Sequence, residues 1–206
     1  MNFLAHFHLA WPTTGLIVGA LEGEYYRGAL DPSLDQELAR GIALHRAIDA
    51  FTDQHPYVAE LRREFPASLR RFAGILIDLG FDHSLSKQWQ SFSQHTLGAF
   101  SEQVLEVLHA HEHALSERSR AMLGGLTQHQ LLTRYDDWAM VAATAERVGT
   151  RFKRGNPLRN IEHALAPLRP RVDETFARFY PELQQFVAAR ESGQVAVLTA
   201  TVKSLP

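Results

Sequence analysis

Apolar residues recur along this chain with the three- and four-residue spacings of helices that bury one face. The clearest example is segment 41–53, whose apolar positions include Ile42, Leu44, Ile48 and Phe51. Strand-like alternation of apolar and polar residues is scarce, and no internal repeat or linker divides the chain. The pattern therefore predicts an all-α fold of roughly eight to ten helices in a single domain, residues 1–191.

Prolines, glycines and short polar turns mark the boundaries of these helices. The expected helical segments are 2–10, 15–29, 34–54, 57–65, 67–92, 97–124 as one or two helices, and 128–149 with or without a break at 135–137. A basic loop at 150–157 and a last helical region interrupted by Pro167, Pro170 and Pro181 follow. Gly124-Gly125 is expected to end the helix before it. Residues 192–206 differ in character, because 195–202 are mostly β-branched or small. We expect a C-terminal tail or a short strand-like appendage there.

Composition limits the class of protein. Of 206 residues, 45% are hydrophobic and 21% are charged, which is typical of a globular domain with a substantial core. The lack of cysteine excludes disulfides, thiolate metal sites and cysteine nucleophiles, and it suits the cytoplasm. The chain opens without a signal-peptide pattern, and no run reaches the ~18 apolar residues of a membrane span. A net charge of −2 gives no general attraction to nucleic acid. We therefore expect a cytoplasmic protein that binds neither membrane nor nucleic acid.

Two of the predicted helices carry titratable residues at helical spacing inside apolar segments. His45 and Asp49 are four residues apart, and so are Asp78 and Asp82, with His83 beside the latter. Residues four apart share a helix face, and an unpaired carboxylate among apolar residues is costly. Two such helices facing each other can bind a metal ion through nitrogen and oxygen ligands.

A structural alternative exists for each of these candidates. The carboxylates can pair with arginines such as Arg46 or Arg71 instead of a metal ion. His6 and His8 are two residues apart, so a helix points at most one of them inward.

Other polar groups are weaker candidates. Glu22 and Glu24 stand at the end of the predicted second helix, where a solvated position is the simpler interpretation. His109 and His113 share a helix face. In a metalloprotease helix a glutamate directly follows the first histidine, whereas here the glutamate is Glu112, directly before the last one. No phosphate-binding loop, nucleophile elbow or dinucleotide fingerprint is present.

Several ordered groups of residues resemble the bacterial acyl carrier protein phosphodiesterases, also called acyl carrier protein hydrolyases. The opening Met-Asn-Phe-Leu-Ala-His-Phe-His-Leu-Ala carries the first part of the resemblance. The later parts lie at Gly19 with Tyr26-Arg27-Gly28, in 41–53, in 78–89, and more weakly in 131–135 and 171–181. Together they cover about residues 1–190.

The resemblance implies both a fold and an activity. That family is similar to the HD-type phosphohydrolases, which are all-helical and hold a divalent metal ion, usually manganese, in the helical core. The implied reaction is hydrolysis of the phosphodiester that joins 4′-phosphopantetheine to the carrier serine of holo acyl carrier protein. Mn²⁺, with Mg²⁺ as the second choice, would activate the attacking water. Two alternatives stay open: a phosphohydrolase of small nucleotides, and a catalytically weakened helical module that binds the carrier.

The resemblance also implies roles for individual residues. The implied metal ligands are His45, Asp78, Asp82 and His83, followed by His6 and Asp49. The implied catalytic residues are Glu24, His45 and Asp78. The family pattern has aspartate at the position of Glu24, so this chain extends that carboxylate by one methylene. A catalytic group displaced by ~1 Å can cost on the order of a hundredfold in rate.

Acyl carrier proteins are small and acidic, so the resemblance implies a basic docking surface. Because the net charge is −2, the attraction must come from a local patch. The candidate docking residues are Arg27, Arg62, Arg63, Arg70 and Arg71. The loop with Arg151, Lys153 and Arg154 is a further candidate. The sequence does not place this loop relative to the site.

Overall fold

The computed structural model describes residues 1–153 and 155–193. This part of the chain consists of α-helices and short 3₁₀ turns, without a strand, so the all-α prediction is confirmed. The helices are α1 (Phe3–Ala10), α2 (Thr14–Gly23), α3 (Gln36–Gln54), α4 (Pro56–Glu64), α5 (Ala73–Lys87), α6 (Leu97–Ala110), α7 (Glu117–Gln128), α8 (Trp138–Gly149), α9 (Glu162–Leu165) and α10 (Arg169–Glu191).

Helix α5 lies at the centre of the fold and packs against α1, α4, α8 and α10. The core around it is rich in aromatic rings, and Phe81 of α5 contacts Phe176 and Phe179 of α10 at ring separations of 5.7 and 5.4 Å. Burial of such rings is the main stabilising contribution, because each removes a large apolar area from water. Apolar packing alone therefore holds α5 in its position in the core.

Helices α2 and α3 cross at unusually short range. A Cβ atom placed on Gly19 would lie 2.5 Å from the Cα atom of Gly41, so both positions require glycine for this crossing. A Cβ atom on Gly23 would lie 2.6 Å from Cγ of His45. The close approach therefore sets the position of His45 relative to the end of α2.

Three predicted boundaries differ from the structure. Helix α7 continues through Gly124-Gly125, because Leu123 and Leu126 are buried on its apolar face and compensate the glycines. Helix α10 likewise continues through Pro181, held by its buried aromatic face. The segment predicted as one helix at 67–92 is a 3₁₀ turn, then α5, then a second 3₁₀ turn.

The predicted second helix is also too long, because α2 ends at Gly23 and an irregular segment follows as far as α3. Gly28 has a φ of 82° in this segment, a conformation that favours glycine. At the other end, α10 ends at Glu191. The predicted tail from residue 194 onward lies outside the described residues. Within the described residues, no helix combines the length and apolar character that crossing a membrane requires.

Candidate metal centre and adjoining cavity

Three side chains from two helices converge on one point. His6 of α1 places Nε2 3.1 Å from Oδ1 of Asp49, and His45 places Nε2 3.2 Å from Oδ2 of the same carboxylate. One ligand atom from each of the three residues lies within 4.8 Å of the others. Since His45 and Asp49 are four apart on α3, the predicted shared face is present, and the third member comes from α1. We call this group the His6–His45–Asp49 centre.

The chemistry of these donors suits a divalent metal ion. The two imidazole rings are buried and stacked, with centroids 4.0 Å apart. Burial and the neighbouring His45 lower the pKa of His6 to about 3, so His6 is a neutral nitrogen donor. Burial acts to raise the pKa of Asp49, but hydrogen bonds from His45 and His6 outweigh it and hold this pKa far below its ordinary value. Neutral imidazole and ionised carboxylate are ligands for first-row divalent ions.

The Nδ1 atoms of His6 and His45 give a second observation. Both are buried and have no hydrogen-bond partner among the described residues. The same is true of Nε2 of His83, which lies outside the centre, so the fit to a metal ion depends on the two Nε2 atoms that face Asp49. The residues present therefore fit a bound metal ion.

Asp78 lies beside this centre and contacts the amino group of Met1. The α-ammonium donates to Oδ1 of Asp78 at 2.8 Å and lies 3.6 Å from Oδ1 of Asp49. Burial acts to lower the pKa of this amino group, but Asp78 and Asp49 raise it to about 10. The α-ammonium group of Met1 thus supplies the positive charge between the carboxylates of Asp78 and Asp49 in this structure.

Glu24 follows the last residue of α2 and borders the centre. Its Oε2 atom lies 3.9 Å from Nε2 of His45, and its side chain is 47% exposed. Burial raises the pKa of Glu24, opposed by the charge of His45. The implied catalytic carboxylate is therefore close to the centre and open to solvent.

Asp82 is fully buried, and its carboxylate contacts backbone amides of α1. Its Oδ2 atom accepts a hydrogen bond from the backbone N–H of Leu4 at 2.8 Å, and Oδ1 accepts one from Ala5 at 3.2 Å. These amides belong to the first turn of α1, whose own N-cap residue, Asn2, makes no side-chain cap. Asp82 therefore caps α1 from another helix.

His83 points away from the centre. Its Nδ1 atom donates to the backbone carbonyl of Tyr135 at 2.7 Å, and its ring packs edge-on against Trp138. Residue 83 lies about 100° around the helix from residue 82, so the two side chains meet different neighbours. The structure thus groups neither Asp82 nor His83 with the His6–His45–Asp49 centre.

The arginines predicted to dock a partner lie in different settings. Arg62 is paired with Asp53. Arg63 and Arg70 are exposed, and Arg71 is exposed with its guanidinium 4.5 Å from the ring centroid of Phe72. Arg27 is also exposed, and close enough to Glu24 to oppose the rise of its pKa.

The other polar residues considered from the sequence have structural partners. Arg46 donates to the carbonyl of Tyr26, so it does not neutralise the carboxylates of the centre. Glu22 is buried, in contrast to the solvated position considered for it, and accepts from the N–H of Ser116 at 2.9 Å. His8 is held structurally, since its ring hydrogen-bonds the Tyr180 hydroxyl at 2.7 Å.

The segment that carries His109 and His113 lies away from the centre. Both histidines are exposed, and His109 hydrogen-bonds the hydroxyl of Thr127 at 2.9 Å.

A cavity of about 390 Å³ adjoins the centre. Glu24 and Asp78 lie at one part of its wall, and α8 supplies another part. Its basic members are Arg134, Arg147 and Arg151, and its apolar members include Ile75, Leu79, Met122, Leu131, Met140 and Val148. The sequence interpretation missed this site, although the spacing of Met140, Thr144, Arg147, Val148 and Arg151 is that of one helix face.

The fold is all-helical, and two imidazoles and a carboxylate meet beside an arginine-lined cavity, a combination that fits an enzyme acting on anionic substrates. The family of acyl carrier protein phosphodiesterases matches the chain over residues 1–183. The chain belongs to this family.

Two relatives show the extent of the similarity. The chain is 30% identical over 186 residues to the acyl carrier protein phosphodiesterase of Photorhabdus laumondii subsp. laumondii, covering 90% of this chain and 94% of the relative. It is 32% identical over 190 residues to the protein of that name from Escherichia coli O6:H1, covering 90% and 96%. No solved structure matches the chain at a significant level.

Proposed function

We propose that this chain hydrolyses the phosphodiester between 4′-phosphopantetheine and the serine of holo acyl carrier protein, releasing apo carrier and 4′-phosphopantetheine. Family membership supports the reaction. The single structural observation that carries it is the His6–His45–Asp49 centre, which opens through Glu24 and Asp78 onto a basic cavity. A phosphodiester is anionic, so a basic cavity beside a metal site suits it.

We assign the metal to His6, His45 and Asp49, with Mn²⁺ as the expected ion and Mg²⁺ as an alternative. When bound there, a divalent ion would act as a Lewis acid toward the phosphodiester and lower the pKa of an attacking water. The buried rings of His6 and His45 fix the position of that charge, because stacking leaves them little freedom. Asp49 is 43% exposed, so the centre is accessible to substrate.

Glu24 is the residue best placed to take the proton of the attacking water. Its carboxylate lies next to His45, and burial raises its pKa, which makes it a stronger base than an ordinary glutamate. The water oxygen bonds to phosphorus as the bond from phosphorus to the serine oxygen breaks. The serine oxygen then takes a proton from solvent water and Glu24 returns its proton to solvent, so that the products are the serine hydroxyl and a phosphate monoester.

The carrier docks on a basic face that borders the cavity. We define the docking face by Arg27, Arg71, Phe152 and Lys153. Arg71 and Lys153 line a groove together with Phe152, the exposed large hydrophobic side chain among the described residues. Ile75 lines both this groove and the cavity, so the two adjoin.

The remaining predicted docking residues contribute at the periphery. An acidic partner is attracted by one sign of charge, an effect screened over ~8 Å at physiological salt. Arg63 and Arg70 add to that charge, whereas Arg62 is engaged by Asp53. Arg154 lies outside the described residues.

The decisive experiment is mass spectrometry of holo carrier after incubation with the metal-stripped protein, alone and with added Mn²⁺ or Mg²⁺. We expect the carrier to lose its phosphopantetheine arm only when metal is added. The His45→Ala variant should bind no metal and give no product. An unchanged carrier mass with both metals would contradict the proposal, and carrier binding without turnover would indicate a binding module instead. Hydrolysis of nucleotides alone would indicate the small-nucleotide class.

A further inference from the structure

We propose that the 390 Å³ cavity between α5 and α8 binds the phosphopantetheine arm, with Arg134, Arg147 and Arg151 as the anchors of its phosphate and the apolar wall as the surface for its pantetheine chain. This inference rests on the proposed function and adds a binding site to it. A cavity of this size lies within the range of small-molecule sites.

The charges of the cavity favour an anion. Three arginines line it against two carboxylates, Glu24 and Asp78. Among the described residues, Arg40 and Arg171 are neutralised by ion pairs, whereas no ion pair involves any of the three cavity arginines. Guanidinium groups left unpaired at a cavity are suited to phosphate, because their planar donors match its oxygens.

The position of Arg147 is defined by its neighbours. Its guanidinium donates to the hydroxyl of Thr144 at 3.1 Å, and both residues line the cavity. Tyr135, another wall residue, is buried, and Glu24 also lines the cavity. A phosphodiester held in the cavity therefore lies near both a guanidinium and a carboxylate.

The other walls suit an uncharged, flexible chain. Met122 and Met140 line the cavity with leucine, isoleucine and valine side chains. Methionine adapts to ligands of irregular shape. Tyr25 and Asn2 add polar groups that can bind the amides of a pantetheine chain. The wall thus offers both charged and apolar groups, as the arm itself does.

The cavity also communicates with the metal centre. Met1, Asn2 and Phe3 line it, while His6 of the same segment belongs to the centre. Glu24 belongs to the cavity wall and contacts His45. An arm seated in the cavity therefore presents its phosphodiester to the carboxylate edge of the centre.

The test is calorimetric titration of the metal-stripped full chain with 4′-phosphopantetheine, pantetheine and inorganic phosphate. We expect 4′-phosphopantetheine to bind more tightly than either fragment. Arg147→Gln and Arg151→Gln should each weaken its binding about tenfold and leave pantetheine binding unchanged. Arg190→Gln, on the exposed face of α10, is the matched control and should bind like the wild type.

A second pair of variants tests the volume of the cavity. Val148→Phe fills it and should weaken both 4′-phosphopantetheine and pantetheine, whereas Ala143→Phe, on the exposed side of α8, should weaken neither. Undetectable binding of 4′-phosphopantetheine at millimolar concentration would overturn the inference, and so would wild-type affinity in Arg147→Gln, Arg151→Gln and Val148→Phe.

Hydrolysis of holo carrier, measured separately, distinguishes this inference from the proposed function. If holo carrier is hydrolysed and its KM is the same in all three variants as in the wild type, the cavity assignment alone is overturned. Binding with the expected variant pattern but without hydrolysis overturns the proposed function alone.

Discussion

Replacing Asp82 separates a structural role from metal ligation. Its two oxygens accept hydrogen bonds from the buried amides of Leu4 and Ala5, and the side chain itself is fully buried. Asp82→Ala leaves both amides without a partner. Each buried unsatisfied donor costs about 1–3 kcal/mol, so the free energy of unfolding should fall by about 2–6 kcal/mol. Asp82→Asn retains one acceptor and should cost less.

The effect of Asp82→Asn should depend on pH. Burial, opposed by the two backbone hydrogen bonds, raises the pKa of Asp82 from 3.8 to about 7. The unfolded chain therefore releases this proton near pH 4 and the folded chain near pH 7. Because the folded state binds more protons between these values, the contribution of Asp82 to wild-type stability is greatest below pH 4 and is lost as the pH rises toward 7, by up to about 1.4 kcal/mol per pH unit. Asparagine does not titrate, so its deficit relative to the wild type should shrink over the same interval.

Urea unfolding of the wild type, Asp82→Asn and Asp82→Ala at pH 4 to 8 measures both effects, and Mn²⁺ titration at pH 7 tests ligation. Asp82→Asn should keep far more Mn²⁺ affinity than His45→Ala. A stability difference between Asp82→Asn and wild type that does not change with pH would refute the raised pKa. Mn²⁺ affinity lost as completely as in His45→Ala, with no loss of stability, would refute the capping role.

Three further predictions concern the centre and the docking face. Gly23→Ala should lower Mn²⁺ affinity and reduce turnover by about a hundredfold, because its Cβ atom would meet His45. Gly125→Ala is the control and should leave both unchanged, because a Cβ atom there has no other atom within 4 Å. Equal behaviour of the two variants in Mn²⁺ titration would contradict this prediction. Glu24→Gln should lower kcat by about 10²–10⁴-fold without loss of Mn²⁺, whereas Glu24→Asp should retain turnover, and a glutamine variant at the wild-type rate would exclude Glu24 as the base. Arg71→Glu combined with Lys153→Glu should raise KM for holo carrier, most strongly at low salt, and leave hydrolysis of a small phosphodiester unchanged; a KM independent of these charges would place the docking face elsewhere.

Periodicity was sufficient to predict the fold class because most helices bury one apolar face. Errors occurred where tertiary packing outweighs local preference. Gly124-Gly125 and Pro181 are unfavourable in an isolated helix, but buried residues on α7 and α10 compensate them. A single sequence shows the local cost of such residues and not the compensating contacts.

In the candidate site, too, the sequence shows the spacing of the polar residues but not the groups that face them. The i, i+4 spacing predicts that Asp78 and Asp82 share a face of α5, and both indeed point at the start of α1. Spacing does not reveal what opposes that face. Here the opposing groups are the Met1 amino group and two backbone amides. Glu22 is a parallel case, since it too is a buried carboxylate that binds the N–H of another helix's N-cap residue. A buried carboxylate that caps a distant helix therefore gives the same sequence pattern as a metal ligand.

The start of α1 connects these observations, because it borders both the His6–His45–Asp49 centre and the cavity. Asp82 and Asp78 anchor it from α5, and His6, one turn further along α1, reaches Asp49. On its other side, the first residues of the chain line the cavity, where Asn2 donates to the hydroxyl of Tyr135 at 2.9 Å. A change that loosens this anchor should therefore displace a ligand of the centre and a wall of the cavity together. Asp82 of α5 belongs neither to the centre nor to the cavity wall, yet it can affect both through the position of one short helix.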